Sequence, residues 1–469
     1  MKYLSACAVL LLLCLGAVQA MTTDTLSFGR FGTVHIYRED NPPKDVVLFV
    51  SGDGGWNLGV VDMAAQLVKL EGAMVIGIDI RHYFKQLQAS DAPCLYPAAD
   101  FEALSQFVQK NYGLETYRTP LLIGYSSGAT LVYGLLAQAP ANTFGGALSL
   151  GFCPDIEINK PLCKGEGLEW EPLPKGNGYN LLPAPKLSHP WYVLEGVIDQ
   201  VCDYPATQKF VNSVPHSKIV TLEHVGHGFS VEKNWMPQYL QAFRDLSAAQ
   251  ASTAPAIPAA VSSDSLKNLP LVETLATDTS GSTMAIMLSG DGGWSGFDQG
   301  VSDEFAKRGI PVVGVNALKY FWKKRSPEES STDLARIMRY YMATWHKTRV
   351  VTAGYSFGAD VMPFMVSRLP EDLRSRVALV SLIGPSHNAD FEFHVTYWMH
   401  VEGKTRWLTL PEVQKLKGMR VLAICDEKDS DSLCNDLPPD AAQAVILKGG
   451  HHFNRDYDTI VDNMMDALK

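Results

Sequence analysis

One feature limits the fold of this chain more than any other: strings of the sequence occur twice. Residues 48–56 read LFVSGDGGW and residues 286–294 read IMLSGDGGW. The strings GYSSGA and GYSFGA come next, at residues 124–129 and 354–359, in the same order. Two ordered pairs of similar strings indicate an internal duplication, so any fold proposed for the chain must be built twice.

The spacing within each copy is repeated as well. Ser126 is followed by Asp199 after 73 residues, and Ser356 is followed by Asp429 after the same 73 residues. The two copies therefore supply an internal alignment, which allows a candidate residue in one copy to be checked against its counterpart in the other.

A change of composition separates the copies. Residues 247–270 are rich in Ala and Ser and contain three prolines, which predicts a linker, although the alanines can extend a preceding helix by a turn or two. The predicted domains are residues 21–246 and 271–469.

Each copy alternates short apolar runs with longer amphipathic ones, a pattern that predicts a parallel sheet covered by helices. The expected strands are DVVLFVS, AMVIGIDI, PLLIGY, GALSLG, WYVLEG and KIVTLE in the first copy, and MAIMLSG, PVVGVN, RVVTAGY, ALVSLIG, RVLAICD and AVILKG in the second. The fold class is therefore α/β, with a doubly wound sheet in each copy. Flavodoxin-like and Rossmann sheets share this coarse pattern, so the motifs must decide.

A predicted strand ends at Tyr355, and a predicted helix starts immediately after it. Between them, Ser356 is flanked by Gly354 and Gly358. This G-x-S-x-G arrangement predicts a nucleophile elbow, in which a sharp turn exposes the serine and the flanking positions must lack side chains. The serine then lies at a helix N-terminus, whose dipole favours negative charge. The motif predicts a tandem α/β-hydrolase-type fold with Ser356 as a nucleophile.

A serine nucleophile needs an acid and a base, which come after it in this fold in the order Asp, then His. The loop after the predicted strand RVLAICD offers Asp426, Asp429 and Asp431. The spacing shared with Asp199 of the first copy selects Asp429.

The base is chosen in the same way. The string G-H-x-F occurs in both copies and aligns His227 with His451, so His451 is preferred to its neighbour His452. The first copy thus keeps a possible second triad of its own, formed by Ser126, Asp199 and His227.

Acyl transfer also needs two backbone N–H groups that stabilise an oxyanion. One is expected from Phe357, directly after the nucleophile, and the other from Asp291 or Gly292 in the SGDGGW loop. A phosphate-binding loop is the alternative for this glycine-rich turn, but neither G-x-G-x-x-G nor the Walker pattern is present.

The chain begins with a candidate export signal. Residues 1–20 contain one Lys, an apolar run and a small-residue cleavage site, which predicts a secretory signal peptide. A retained anchor is the alternative, but the run is shorter than the ~20 residues of a spanning helix. Lipoprotein processing at Cys14 is disfavoured because Leu13 precedes it. The formal net charge of −10 contains no basic run, so nucleic acid is not an expected partner.

Six cysteines come after the signal, an even number that suggests disulfides in an exported protein. The expected pairs are Cys425 with Cys434 and Cys153 with Cys163, each closing a short loop; free buried thiols are the alternative. Neither a calcium-loop nor an H-E-x-x-H zinc pattern is present, and no cofactor is expected.

An aromatic insertion comes after a strand of the second copy, where this fold often has a lid. Residues 385–407 include five aromatic side chains that either face an acyl chain or a membrane surface, or pack the insertion onto the sheet: Phe391, Phe393, Tyr397, Trp398 and Trp407.

The strings SGDGGW, GYSFGAD and GGHHF, in this order and behind a second copy, resemble the AcvB/VirJ bacterial virulence protein family. The resemblance implies a periplasmic hydrolase that removes the lysyl or alanyl group from aminoacyl-phosphatidylglycerol at the membrane surface, through an acyl-enzyme on Ser356. The family is also associated with type IV secretion, which implies secretion-system proteins as partners and a non-catalytic scaffold as the alternative role. The front copy of duplicated families is often degenerate, whereas this one retains all three triad residues.

Overall fold

The computed structural model describes residues 21–253, 266–394, 407–429 and 432–469. The predicted signal peptide, residues 1–20, lies outside the described residues. The first half of the protein is residues 21–253, and the second half comprises the described residues from 266 onward.

The first half is built on an eight-stranded sheet with the order β1-β2-β4-β3-β5-β6-β10-β11. The pairs β1·β2 and β2·β4 are antiparallel, and the other neighbours run parallel. The strands of this half are β1 (Thr22–Phe28), β2 (Gly32–Arg38), β3 (Val46–Val50), β4 (Met74–Ile78), β5 (Leu121–Tyr125), β6 (Ala147–Leu150), β7 (Asp155–Ile156), β8 (Trp170–Pro172), β9 (Tyr179–Leu181), β10 (Trp191–Gly196) and β11 (Ser217–Leu222). Its helices are α1 (Gly59–Glu71), α2 (Ile80–Leu87), α3 (Pro97–Asn111), α4 (Ser127–Gln138), α5 (Tyr204–Val211) and α6 (Met236–Thr253).

The second half repeats this plan with seven strands in the order β12-β14-β13-β15-β16-β19-β20. Only the edge pair β12·β14 is antiparallel within this described sheet. Its strands are β12 (Leu271–Thr274), β13 (Thr283–Leu288), β14 (Val312–Val315), β15 (Arg349–Tyr355), β16 (Val377–Ile383), β17 (Asn388–Ala389), β18 (Trp407–Leu408), β19 (Val421–Asp426) and β20 (Gln443–Leu447). The helices are α7 (Gly296–Lys307), α8 (Ala317–Tyr320), α9 (Pro327–Thr344), α10 (Phe357–Ser367), α11 (Glu371–Arg374), α12 (Thr409–Gln414) and α13 (Tyr457–Leu468).

The two sheets confirm the predicted fold class, a duplicated α/β-hydrolase-type sheet. All twelve predicted strands are present, and the central ones are buried on both faces, as in β3, whose five residues are all buried. Helices on both sides of a parallel sheet exclude water from both faces, which is why these strands read as continuous apolar runs. The antiparallel edge strands β1, β2 and β12 were not predicted. β1 reads TTDTLSF and is largely exposed, so it lacks that signal.

The described residues form three disulfides, and one predicted pairing is wrong. Cys425 and Cys434 are bonded, as expected. Cys153 is bonded to Cys202 and Cys163 to Cys94, so the predicted Cys153–Cys163 bridge is replaced by two longer-range bonds. The prediction from sequence proximity failed because the chain after Cys153 leaves the main sheet. This segment contributes β7, β8 and β9 to a small antiparallel sheet of its own.

The helix at the end of the first half continues into the predicted linker. α6 extends to Thr253, and Ser247 donates a hydrogen bond to Asp45 (3.0 Å). The alanines support this helical extension, and residues 254–265 lie outside the described residues. No helix in the described ranges is both long and apolar enough to span a bilayer.

The halves are joined by a tryptophan of the second half that is inserted into the first. Trp322 is 2% exposed and packs in the core of the first half, with its ring 5.2 Å from that of Tyr117. Its indole N–H donates to the Leu114 carbonyl (2.7 Å). Lys110 on α3 donates to the Trp322 carbonyl and pairs with Glu392 (3.3 Å). Helix α3 is thereby attached to the second half.

We expect Trp322→Ala to lower the free energy of unfolding by about 3–5 kcal/mol, because it leaves a cavity and an unpaired carbonyl at this contact. Trp407→Ala is the matched control, since Trp407 is 45% exposed. Chemical denaturation followed by fluorescence and circular dichroism measures both. Equal losses in the two variants would contradict the role given to Trp322.

Candidate active sites

Each half contains a nucleophile elbow at the centre of its sheet. Ser126 comes directly after β5 and has φ 55° and ψ −123°, and Ser356 comes directly after β15 and has φ 52° and ψ −119°. Positive φ is unfavourable for a residue with a side chain, and here it turns the chain from a strand directly into a helix. Both serines are therefore held at a helix N-terminus.

Close packing explains the glycines of the elbow. A Cβ on Gly354 would lie 2.2 Å from the Gly358 carbonyl oxygen, and a Cβ on Gly358 would lie 2.3 Å from that of Leu288. The corresponding distance from Gly124 to the Gly128 oxygen is 2.1 Å. Any side chain at these positions would push the helix off the sheet.

A histidine contacts the serine in both halves. Ser126 Oγ lies 2.9 Å from His227 Nε2, and Ser356 Oγ lies 2.9 Å from His451 Nε2. His452 instead contacts the Tyr355 hydroxyl through Nδ1 (2.9 Å). The structure thus brings His451, rather than His452, to the second serine.

The acid is joined to the histidine in the first half. Asp199 Oδ2 lies 2.8 Å from His227 Nδ1, and its side chain is fully buried. The N–H groups of Val201 and Cys202 donate to its other oxygen (2.7 and 2.9 Å). These bonds fix the carboxylate in the orientation that holds the imidazole.

The loop that carries Asp429 repeats this backbone arrangement. Asp429 N–H bonds to the Asp426 carbonyl (3.4 Å) as Asp199 N–H bonds to that of Gly196 (3.1 Å). The Asp426 carboxylate accepts from Gly450 N–H (3.1 Å). Asp431 lies outside the described residues.

The loops that carry the two aspartates are held by different contacts. In the first half, the Cys153–Cys202 disulfide ties the acid loop to the loop after β6. The corresponding place in the second half holds a backbone bridge between Ser386 and Ser432. Asp360 on α10 accepts from Ser386 Oγ (2.9 Å) and stabilises that loop. The tie between these two loops is therefore a disulfide in the first half and a backbone bridge in the second, where the Cys425–Cys434 disulfide closes the loop that carries Asp429.

The SGDGGW loops approach the serines closely. A Cβ on Gly52 would lie 2.9 Å from Ser126 Cβ, and one on Gly290 would lie 3.6 Å from Ser356 Cβ. Phe357 begins α10, and Asp291 and Gly292 come directly after Gly290. The predicted oxyanion donors are therefore on the two segments that meet at the nucleophile.

Two acidic residues of the first half lie against the second site, and sequence reasoning missed both. A Cβ on Gly292 would lie 3.7 Å from Glu102 Oε1 of α3. Glu166 accepts from Arg455, four residues beyond His451, at 2.8 Å. No signal in the sequence brings these residues to the other half, because the contact depends on how the two halves dock.

The carboxyl groups at this contact are electrostatically perturbed. Burial raises the pKa of Glu102 to about 8, and the charge of Asp291 contributes to the shift. Burial also raises the pKa of Asp291, which His451 counteracts. Two carboxyl groups with poor access to water favour a shared proton or a cation near them.

The insertion of the second half divides into two parts. Phe391 and Phe393 are buried, with Phe391 5.4 Å from Phe364 and Phe393 stacked on Trp322 at 5.8 Å. Packing onto the sheet, one of the two alternatives, accounts for these two rings. Trp407 is half-exposed, and Tyr397 and Trp398 lie outside the described residues.

A potential metal cluster in the described residues has a simpler explanation. Asp199, Cys202 and His227 lie close enough to share an ion. However, Cys202 is bonded to Cys153 and has no thiolate to offer, while the other two residues bond to each other.

Both halves of the chain match one known protein family. The family model described as bacterial virulence protein (VirJ) matches residues 44–144 and 282–469. The chain belongs to the VirJ bacterial virulence protein family. The matched segments contain both SGDGGW loops, both elbows, and the second acid and histidine, so the family pattern covers most of the candidate site residues.

Solved structures similar to the chain include an esterase domain of a Rhodothermus marinus protein (16% identity, 50% of this chain, 98% of that chain, TM-score 0.32). Others are an α/β serine hydrolase without a lid from Xanthomonas campestris (18%, 51%, 97%, 0.31) and an α/β serine hydrolase homologue from Coxiella burnetii (14%, 48%, 96%, 0.31). No curated protein matches the chain.

A buried glutamate near the first site should make the stability of the protein depend on pH. Burial raises the pKa of Glu195, next to the acid loop, to about 8 from an ordinary 4.5, and the charge of Asp199 adds to the effect. Between these values the folded protein holds a proton that the unfolded chain releases. Rising pH therefore weakens folding through this group, by at most about 1.4 kcal/mol per pH unit.

We expect Glu195→Gln, which cannot ionise, to lose less stability than the native protein between pH 5 and pH 8. Denaturant titrations at the two pH values measure this difference. Glu169→Gln, at a half-exposed side chain, serves as the control and should retain the native pH dependence. An unchanged pH dependence in Glu195→Gln would contradict the assignment.

Proposed function

We propose that the protein is a serine ester hydrolase that works by acyl transfer to Ser356. The observation that supports this most directly is the 2.9 Å contact between Ser356 Oγ and His451 Nε2 on a strained elbow. A serine held with positive φ at a helix N-terminus and beside an imidazole has the geometry of an activated nucleophile.

These contacts account for each step of the reaction. His451 takes the Ser356 proton as Oγ attacks the ester carbonyl, and the N–H of Phe357 and the Asp291–Gly292 segment stabilise the oxyanion. His451 then protonates the leaving alcohol. Water, deprotonated by His451, hydrolyses the acyl-enzyme and regenerates Ser356. In this proposal Asp429 orients His451, as Asp199 orients His227.

We propose aminoacyl-phosphatidylglycerol as the substrate, with the lysyl or alanyl group as the acyl part. An aminoacyl ester carries an ammonium group close to the scissile carbonyl. Glu102 and Asp291, with raised pKa values, lie beside the oxyanion loop, where an ammonium group would stabilise their ionised forms. Membership of the virulence family and the predicted signal peptide support a periplasmic location, where this lipid is accessible.

We expect Ser356→Ala to reduce release of lysine or alanine from lipid vesicles by about 10³-fold or more, because no other group can accept the acyl chain at this site. Mass spectrometry of the free amino acid measures the loss, and circular dichroism verifies the fold. Asp429→Asn should also reduce kcat, whereas Asp426→Asn tests the neighbouring acid, which already bonds to Gly450.

Native release of the amino acid by Ser356→Ala would contradict this proposal. A further comparison separates catalysis from a scaffold role in secretion. A strain that lacks the protein is complemented with Ser356→Ala, and its lipid composition is measured together with its secretion phenotype. Restored secretion without restored lipid composition would support the scaffold instead.

The position of Glu102 beside the oxyanion loop leads to a second prediction for the site of Ser356. As pH rises from 6 to 8, Glu102 loses its proton and attracts a cationic acyl group more strongly. We therefore expect kcat/KM for an N-trimethylated alanyl ester, whose positive charge does not change with pH, to rise more than that for the matched propionyl ester of the same alcohol. Glu102→Gln should abolish the difference and cost about fivefold at pH 8 on the alanyl ester alone. An equal effect on both esters would contradict it.

A further inference from the structure

The first half contains a complete triad that the proposed function does not use. Ser126 Oγ lies 2.9 Å from His227, and His227 lies 2.8 Å from Asp199, so both hydrogen bonds of a Ser-His-Asp triad are formed. We propose that Ser126 is the nucleophile of a second, separate esterase centre, and that its substrates are esters of uncharged, apolar acyl groups. This proposal is independent of the one made for Ser356.

The local structure is organised around this triad. The Tyr125 hydroxyl donates to the His227 carbonyl (2.8 Å), and the Cys153–Cys202 disulfide secures the loop that carries Asp199. A Cβ on Gly151 would lie 3.2 Å from the His227 ring, which shows how closely the backbone confines the imidazole. The equivalent glycine of the second half, Gly384, lies similarly close to His451 (3.1 Å). The first site therefore keeps the tyrosine and glycine contacts that surround the histidine of the second.

Exposed apolar side chains are concentrated on the loops of this site. Between residues 21 and 250, the exposed large hydrophobic residues number six, and five of them lie on the SGDGGW, acid or histidine segments of the first half. These five form what we term the apolar rim: Leu58, Val197, Ile198, Val201 and Val231. Leu58 is 83% exposed, Val201 67% and Ile198 58%, so their burial by a ligand would be favourable.

The second half has no equivalent of this rim in its sequence. The motif alignments place five residues opposite the rim positions, all of them charged or Gly: Gly296, Glu427, Lys428, Asp431 and Arg455. Two of these positions touch the first half, since Glu166 pairs with Arg455 and would lie 3.5 Å from a Cβ on Gly296. Four of the five positions that are apolar and exposed at the first site therefore carry charged residues in the second half.

The charges near the two serines differ in the same sense. Asp53 of the first SGDGGW loop corresponds to Asp291 of the second, but its side chain is exposed to water. Asp291 shares its surroundings with Glu102, which is a poor environment for a neutral acyl group and a good one for an ammonium group. The first site offers an acyl chain apolar contacts instead, which predicts separate substrate preferences for the two sites.

The reaction at the first site needs no group beyond the protein, the ester and water. His227 accepts the Ser126 proton while Oγ bonds to the acyl carbon, and the alcohol leaves with that proton. Water then adds to the acyl-serine with His227 as base, so that a carboxylic acid leaves and Ser126 regains its proton. No oxidation or reduction occurs.

Active-site labelling tests the proposal directly. The full-length native protein, Ser126→Ala and Ser356→Ala are treated with a fluorophosphonate probe, and the modified peptides are identified by mass spectrometry. We expect Ser126 to be labelled in Ser356→Ala, and His227→Ala to abolish that labelling. Hydrolysis of p-nitrophenyl octanoate should fall by about 10³-fold in Ser126→Ala and remain largely intact in Ser356→Ala.

A matched pair of surface variants tests the acyl preference. Ile198→Lys introduces the residue found at the equivalent position of the second half, and we expect it to raise KM for the octanoate ester about tenfold. Leu70→Lys, at the remaining exposed hydrophobic of the first half, should leave KM unchanged. Absence of label on Ser126 in a folded Ser356→Ala protein would overturn the proposal, whatever happens to amino acid release at Ser356. Equal KM values for the two lysine variants would overturn the apolar preference.

Discussion

The contact between the nucleophile helix and the centre of the sheet governs both sites. Gly358 packs against the Leu288 carbonyl and Gly354 against that of Gly358, so α10 starts at the point where β15 ends. This closeness forces positive φ on Ser356, which lifts its hydroxyl above the sheet edge. Because parallel strands present their carboxyl ends at one edge, the loops with the acid and the histidine reach the same place.

Duplication preserved this arrangement and let its surroundings diverge. The first site has a buried Asp199, a disulfide and an exposed apolar rim. In the second site, a backbone bridge between Ser386 and Ser432 takes the position of that disulfide. Glu102 and Glu166 of the first half also lie beside the second site. A shared catalytic geometry with different charge around it is the physical basis on which two substrate preferences can coexist in one chain.

Much of the fold could be predicted because buried parallel strands have a strong apolar signal. All twelve predicted strands are present, and alignment of the two copies selected His451 over His452. Strand β1 was not predicted because it has few buried residues and therefore no continuous apolar run. The Cys153–Cys163 prediction failed because residues close in sequence are separated in space where the chain forms an inserted sheet. The backbone around Asp429 matches that around Asp199, in line with the shared spacing.

The sequence by itself determined the duplication, the fold class, both elbows and the choice of histidine. Each of these depends on local pattern: apolar runs for strands, glycines where no Cβ fits, and repeated spacing between the copies. Only the tertiary structure decided the pairing of the four cysteines of the first half, the hydrogen bonds within the first triad and the approach of Glu102 to Asp291. These features depend on contacts between residues far apart in the chain, which local sequence patterns do not encode.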